Sequence, residues 1–288
     1  MTHKQDIADR IEKIEALPGL VAFWDFQEPA GQSRRAHGPY GYQLREMAGN
    51  VKRVKGGVFG PYAAELAYRQ WMSITRHECP ALNLHGAKAQ ITLLAWLKRR
   101  RKPEIQCEAV AGMWDETRRK RQYALFIDLR MHSSADQVCG HISAIGGPTP
   151  GHRYCMDAAI GRTCVEYTDV WEFVGFTYDG QNVRIYRNGC FDVRPDHNPY
   201  PYPGGLFDGG QDGADFTVGA VHRSGEMGNW FTGILGGLLV CDTVLSAESI
   251  LALADTTVPG LSTGMLGTMR ALEGNLDYTA PGCAPARS

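Results

Sequence analysis

Ile7, Ile11, Ile14 and Leu17 recur at spacings of four, three and three, with Asp, Glu, Lys and Arg between them. That spacing lines one face of an α-helix, and Pro18-Gly19 stops it. Its apolar stripe is expected to cover part of a sheet. From Gly19 the pattern changes to alternation and short apolar runs. This predicts strands at 20–26, 65–74, 90–98, 105–114, 122–130, 138–145, 171–178, 183–187, 216–221 and 230–240. Many short strands broken by Gly, Pro and Asn clusters argue for an antiparallel sandwich or barrel. The gaps cannot hold the helices that a doubly wound parallel sheet requires. Two local devices add detail. Tyr178-Asp-Gly-Gln-Asn182 joins two β-rich runs as a hairpin. Ser246 is placed to cap a helix running to Ala254, with Glu248 in its first turn and Leu245 and Ile250 at the positions of a hydrophobic staple. The chain divides into a helix (1–18), a β domain (19–260) and a tail (261–288) poor in large apolar residues.

The motifs at the hairpin resemble a known superfamily. Trp171-x-x-Val-x-x-Thr-Tyr-Asp-Gly followed by Ile185-Tyr-x-Asn-Gly189 is similar to the central hairpin of concanavalin A-like, laminin-G-like jelly-roll domains. Thr217-Val-Gly219, Phe231-Thr-Gly-Ile-Leu and Val244-Leu-Ser-Ala-Glu resemble the strands and short helix that follow in that superfamily, and Gly19-Leu-Val-Ala-Phe-Trp-Asp-Phe resembles its first strand. The resemblance spans residues 19–254 and implies an all-β, antiparallel jelly-roll β-sandwich. One departure stands out. Gly236-Gly237 occupies the place where many members carry Asp-Glu, which removes carboxylates that can help to hold a structural calcium. Members include lectins, carbohydrate-binding modules, glycan hydrolases and lyases, and protein-binding modules, so the fold does not choose the activity.

Charge and cysteines narrow the classes. A net charge of −1 lacks the basic excess of a nucleic-acid binder. Two basic runs, Lys98–Lys102 and Arg118–Arg121, flank the strand at 105–114 and are expected to be solvated turns about 30 Å apart. The uncharged run 227–241 is too short and glycine-rich for membrane insertion. No pair of the eight cysteines has Cys-x-x-Cys spacing, which excludes zinc ribbons and thioredoxin-like motifs. Met1–Arg10 lacks the apolar core of a signal peptide. The expectation is a cytoplasmic protein with reduced cysteines, or a secreted one if a native signal has been removed. The pattern leaves the oligomeric state open.

Candidate chemistry centres on one loop. Asn198-Pro-Tyr-Pro-Tyr-Pro-Gly-Gly-Leu-Phe207 mixes aromatic rings with prolines, and eleven of the 34 glycines fall between Gly204 and Gly237. Sugars stack their apolar faces on aromatic rings, so Tyr200, Tyr202 and Phe207 are ligand candidates, with Arg223 and Glu226 in a nearby loop. Asp208, Asp212 and Asp215 are oxygen donors suited to calcium, although their spacing is not that of an EF-hand; turn-forming aspartates are the competing reading. Should the chain be a lyase, His141, Arg153, Tyr154 and His222 supply the proton-acceptor and carboxylate-binding residue types. No Glu-x-Asp occurs, which argues against the glucanase pairing on one strand. His77-Glu-x6-His85 fails metalloprotease spacing, and no nucleophile elbow or phosphate loop is present. The leading expectation is a non-catalytic, lectin-like protein with a glycan ligand. A glycan-active lyase or hydrolase with a His/Arg/Tyr groove, and a protein-interaction module, are the alternatives.

Overall fold

The structure is a computed structural model, and residues 3–258 are described in it; the expected tail at 261–288 lies outside the described residues. The chain folds as two β-sheets facing each other, one of nine strands and one of ten. In hydrogen-bonded order the first sheet runs Cys190–Phe191, Asn182–Arg187, Glu172–Tyr178, Ile91–Arg99, Gly233–Cys241, Tyr62–Leu66, Lys52–Lys55. Leu20–Trp24 extends it beside the second half of Gly233–Cys241, and Tyr200–Pro201 pairs with Asn182–Arg187. The second sheet runs Ala158–Cys164, Gln137–Ile142, Lys120–Ile127, Glu108–Asp115, Phe216–Val218, Met72–Ile74, Gln43–Glu46, Arg34–Arg35. The hairpin of Val221–Arg223 and Glu226–Gly228 joins it at Asp115. Pairing between these strands is antiparallel except at that junction, where His222 runs parallel to Asp115.

Three apolar layers follow from period-two alternation. Between the sheets lie Trp24, Leu93, Leu97, Met113, Leu125, Phe176, Phe216 and Leu238, all buried, with the Trp24 and Phe216 rings stacked at 5.5 Å. On the outer face of the first sheet, Phe59, Trp96, Trp171 and Phe173 are roofed by both helices through Ile14, Ile250 and Leu253. The leading helix spans His3–Glu15, and its stripe covers the sheet as expected. The closing helix, Ala247–Thr257, starts at a Ser246 cap whose side chain accepts from the Ser249 N–H, while Leu245 and Ile250 are buried in one cluster. The third layer, on the outer face of the second sheet, holds Trp114, Phe126, Cys139 and Ile160.

The glycine pair at 236–237 has a packing cause. Leu235 and Leu238 both face the inter-sheet core, and the register shifts between Leu235 and Gly237, so a bulge turns both glycines outward. A Cβ on Gly236 would lie 2.7 Å from the Trp171 ring, and one on Gly237 would lie 2.7 Å from Phe59. The aromatic roof occupies the space that acidic side chains would need.

Four expectations need correction. The run at 65–74 is two strands in different sheets, Tyr62–Leu66 and Met72–Ile74, split by a turn in which Arg69 takes φ 68°. The run at 216–221 breaks at Gly219, which holds φ 88°. The basic runs are not simply solvated: Arg99 is fully buried, and the Lys102 and Arg121 side chains are 4% and 5% exposed. Arg99 is held by Glu108 at 2.8 Å, by Asp136, and by the Tyr167 ring 4.2 Å away. Among the cysteines, Cys79, Cys139, Cys155 and Cys241 are buried free thiols, whereas Cys164 is disulfide-bonded, so the expectation of wholly reduced cysteines fails there.

Candidate functional site

Strand register gathers the chemistry at one end of the sandwich. Ile91 pairs with Tyr178, Thr92 with Cys241, Asp115 with Lys120, and Tyr123 with Ile142. The loops leaving these positions therefore converge, and the segment after Asn198 ties the two sheets together. Asn198 is 1% exposed; its side chain accepts from the Ile185 N–H and donates to the Asp192 carbonyl. Farther on, the Tyr202 hydroxyl accepts from the Ala144 N–H at 2.8 Å, and the Tyr178 hydroxyl donates to the Tyr202 carbonyl at 2.8 Å. Gly205 N–H then donates to the Tyr178 hydroxyl at 3.0 Å, and Phe207 N–H to the Ser143 carbonyl at 2.8 Å.

This wiring separates the expected sugar-stacking rings. Tyr200 and Tyr202 pack against the core, their rings stacked at 6.5 Å, and the Tyr200 hydroxyl lies 3.3 Å from Asp157 Oδ1. Burial is the main force raising both phenols to about 12. They buttress the loop. Phe207 is partly exposed, with Gly146 beneath its edge and Lys120 Nζ 5.8 Å from its centroid. Ile145, 52% exposed, stands on the adjoining loop.

Beside this face lies a shallow open cleft of about 420 Å³ lined by Asn83, Leu84, His85, Lys88, Ala89, Gln90 and Asp242. Asp208 joins it to the glycine-rich loop. Its carboxylate accepts from Asn83 Nδ2 at 3.0 Å and Gly210 N–H at 2.8 Å, and it lies 3.5 Å from His85 Nδ1. The Asn83 and Gly210 hydrogen bonds hold its pKa below the usual carboxylate value. Behind Asn83, buried Gln122 donates to Asn83 Oδ1 at 2.8 Å. These planar amide, carboxylate and imidazole groups can exchange hydrogen bonds with ring hydroxyls.

The other expected residues take separate places. Asp215 accepts from the Arg76 N–H at 2.7 Å, and Asp212 is exposed. The three aspartates are thus not gathered, and no group of three or more His, Cys, Asp or Glu side chains among the described residues could hold a metal. His141 is 5% exposed, its ring 4.3 Å from that of Trp114 and tilted by 35°, with Nε2 3.0 Å from the Cys155 carbonyl. Burial drives its pKa down to about 3. Arg153 lies over the ring of Tyr154, which is 49% exposed. His222 Nδ1 is 3.0 Å from Thr117 Oγ1 and 3.5 Å from Asp115. Arg223 donates to Asn229 Oδ1, and Glu226 sits opposite it in the hairpin. The four residues named for a lyase do not share one constellation, because His141 has turned into the apolar layer. Sequence reasoning missed Asn83, Gln122 and Arg76, and reached His85 only as a failed metal motif.

No protein-family model matches this chain, and no curated protein matches its sequence. Solved structures do resemble it. Domain 4 of AbnA, a GH43 extracellular arabinanase from Geobacillus stearothermophilus, in complex with arabinotriose, aligns with a TM-score of 0.52 at 16% identity, over 82% of this chain and 98% of that domain. The binding domain of botulinum neurotoxin DC, in complex with SialylT, aligns with a TM-score of 0.52 at 11% identity, over 85% of this chain and 53% of that one. A further receptor binding domain aligns with a TM-score of 0.54 at 9% identity, again over 53% of its length. The chain therefore spans about half of the toxin domain. At these identities the likeness is one of fold.

Proposed function

We propose that this chain is a carbohydrate-binding β-sandwich of the concanavalin A-like, laminin-G-like kind, with its ligand face at the loop end. The observation that carries the reading is the near-complete alignment with the arabinanase domain, which was solved with arabinotriose. The loop end adds the chemistry. Phe207 offers an apolar ring face, with Ile145 exposed beside it, and the adjoining cleft supplies Asn83, His85, Lys88 and Gln90 as planar or charged hydrogen-bonding groups. A shallow, open, polar cleft suits an oligosaccharide lying along a surface better than a small molecule enclosed in a cavity. The reading is one of binding without catalysis. A general base must reach substrate in a usable protonation state, and His141 is buried against Trp114 and Phe126.

A glycan array probed with the whole chain, with calcium and with a chelator, tests this. Binding is expected in both conditions, because Asp208 and Asp215 are engaged with different partners and the three aspartates are not gathered. Phe207→Ala should weaken it about tenfold or more, on the scale of one lost stacking ring. A blank array in both conditions rules the reading out.

A further inference from the structure

A second exposed ring stands at the same end of the sandwich, outside the loops described above. Arg34–Arg35 and Gln43–Glu46 pair as a hairpin, with Tyr40 near its tip. The tip is pinned from three sides. Ala36 N–H donates to the Tyr42 carbonyl at 2.7 Å, and His37 and Phe23 exchange backbone hydrogen bonds at 2.7 and 3.1 Å. The Tyr42 hydroxyl accepts from the Ala81 N–H at 3.0 Å. Tyr42 is 7% exposed, and the Tyr40 ring stacks on it with 5.3 Å between centroids and 12° between planes. One face of Tyr40 therefore rests on a fixed ring, while the residue as a whole is 55% exposed. A flat ring supported behind and open in front suits stacking by the apolar face of a sugar.

Backbone pairing connects this ring to Phe207. Gly86 and Leu206 exchange hydrogen bonds at 2.8 and 3.1 Å, so Phe207 directly follows a residue tied to the cleft loop 83–90. At the far edge of that cleft, Asp242 N–H donates to the Gly19 carbonyl at 2.9 Å. Gly19 lines a second shallow, open cleft of about 460 Å³, together with Glu15, Leu17, Leu20, Gly38 and Pro39. Tyr40 is the next residue in the chain. The hairpin also meets the first cleft directly, since Ala81, which holds the Tyr42 hydroxyl, lies just before Asn83. Strand order gives the scale. Across this end of the first sheet stand Gly38 beside Leu20, then Cys241, Thr92 and Thr177. Four strand spacings make roughly 19 Å, the reach of an oligosaccharide rather than of one sugar ring.

We propose, resting on the sugar-binding reading, that Phe207 and Tyr40 are the two ends of one extended binding surface. A linear oligosaccharide lies across both clefts and stacks on a ring at each end. Between the rings, Asn83, His85, Lys88 and Gln90 exchange hydrogen bonds with its hydroxyls. Both clefts are shallow and open, so the surface takes internal stretches of a chain rather than enclosing its terminus. Each ring alone contributes little. A chain long enough to reach both makes the second contact intramolecular, which multiplies the affinity without any new residue.

The test uses homologous ladders of arabinan, xylan, mannan, cellulose and galactan backbones, from disaccharide to octasaccharide. They are printed on the array and then titrated calorimetrically with the whole chain. On a backbone that binds, affinity should rise about tenfold or more from the disaccharide to the hexasaccharide, the scale of engaging a second ring. Tyr40→Ala should remove that rise and Tyr40→Phe should keep it. Both variants should melt with the wild type by circular dichroism, because the ring stands on the surface. Phe207→Ala, at the other end, should flatten the rise in the same way. Affinity independent of chain length, a rise that survives in Tyr40→Ala, or binding confined to glycans outside the ladders overturns the extended surface while sugar binding stands. A blank array together with flat titrations overturns both.

Discussion

His141 gives the sharpest physical test of the structure. Its ring lies 4.3 Å from Trp114 and 5.8 Å from Phe126, and the residue is 5% exposed. Burial is the main cause of a folded-state pKa of about 3, with Arg121 adding in the same direction and the Cys155 carbonyl opposing. In the unfolded chain the imidazole titrates at its ordinary value of 6.5. The folded value is the lower one, so the unfolded state binds the proton first as pH falls. The stability from keeping the ring neutral is fully present above the unfolded pKa and drains away as pH drops from 6.5 toward 3. Between pH 7 and pH 5 the unfolded chain gains about 2 kcal/mol from this one protonation, at 1.36 kcal/mol per unit. For a chain of this size that is roughly 4–8 °C in Tm. Other histidines overlap this window: burial also lowers His197, and a hydrogen bond donated to Asp25 raises His37. The comparison is therefore between wild type and His141→Gln, which keeps a donor for the Cys155 carbonyl and cannot take up a proton. Urea unfolding at pH 7 and pH 5 should show the variant losing about 2 kcal/mol less than wild type. Equal losses in the two proteins would refute the buried neutral imidazole. They would also reopen His141 as a candidate proton acceptor.

Two further perturbations probe the parts of the scaffold that carry unusual groups. The Arg99–Glu108 pair is fully buried and 2.8 Å apart, so Glu108→Gln, which leaves the guanidinium without its main counter-charge, should cost about 3–5 kcal/mol in urea unfolding. Arg99→Met with Glu108→Leu should recover most of that, and a single-variant cost below about 1 kcal/mol would show the charges to be well solvated. Gly237→Ala places a methyl 2.7 Å from Phe59 and 2.8 Å from Trp96. A loss of about 1–3 kcal/mol is expected from overpacking the roof, and an unchanged midpoint would mean that the aromatic layer yields freely.

What could be read from the chain follows the range of the interactions involved. The 178–182 hairpin and the Ser246 cap were legible because their partners lie within a few residues: Asp179 accepts from the Gln181 and Asn182 N–H groups, and Ser246 from Ser249. The break in 65–74 was hidden because apolar residues continue across it, and the change of sheet is made by an arginine with positive φ, where glycine is the usual signal. Strands such as Lys52–Lys55 carry no apolar alternation, since they lie at an edge with little to bury.

The buried arginine of the basic run shows a signal that was present but outweighed by composition. Ile91, Leu93, Ala95 and Leu97 all face the inter-sheet core, while Leu94 and Trp96 face the helices. Arg99 continues the inward parity and Lys98 the outward one, where its Nζ lies 4.9 Å from the Trp171 ring. Period two therefore predicts one charge inside and one outside, whatever the local density of lysine and arginine suggests. The same rule does not reach the loop end. Gln122 meets Asn83 across 39 positions and Arg76 meets Asp215 across 139, so no window of sequence contains both halves of either contact. A binding end assembled from loops becomes visible only when register brings those loops together.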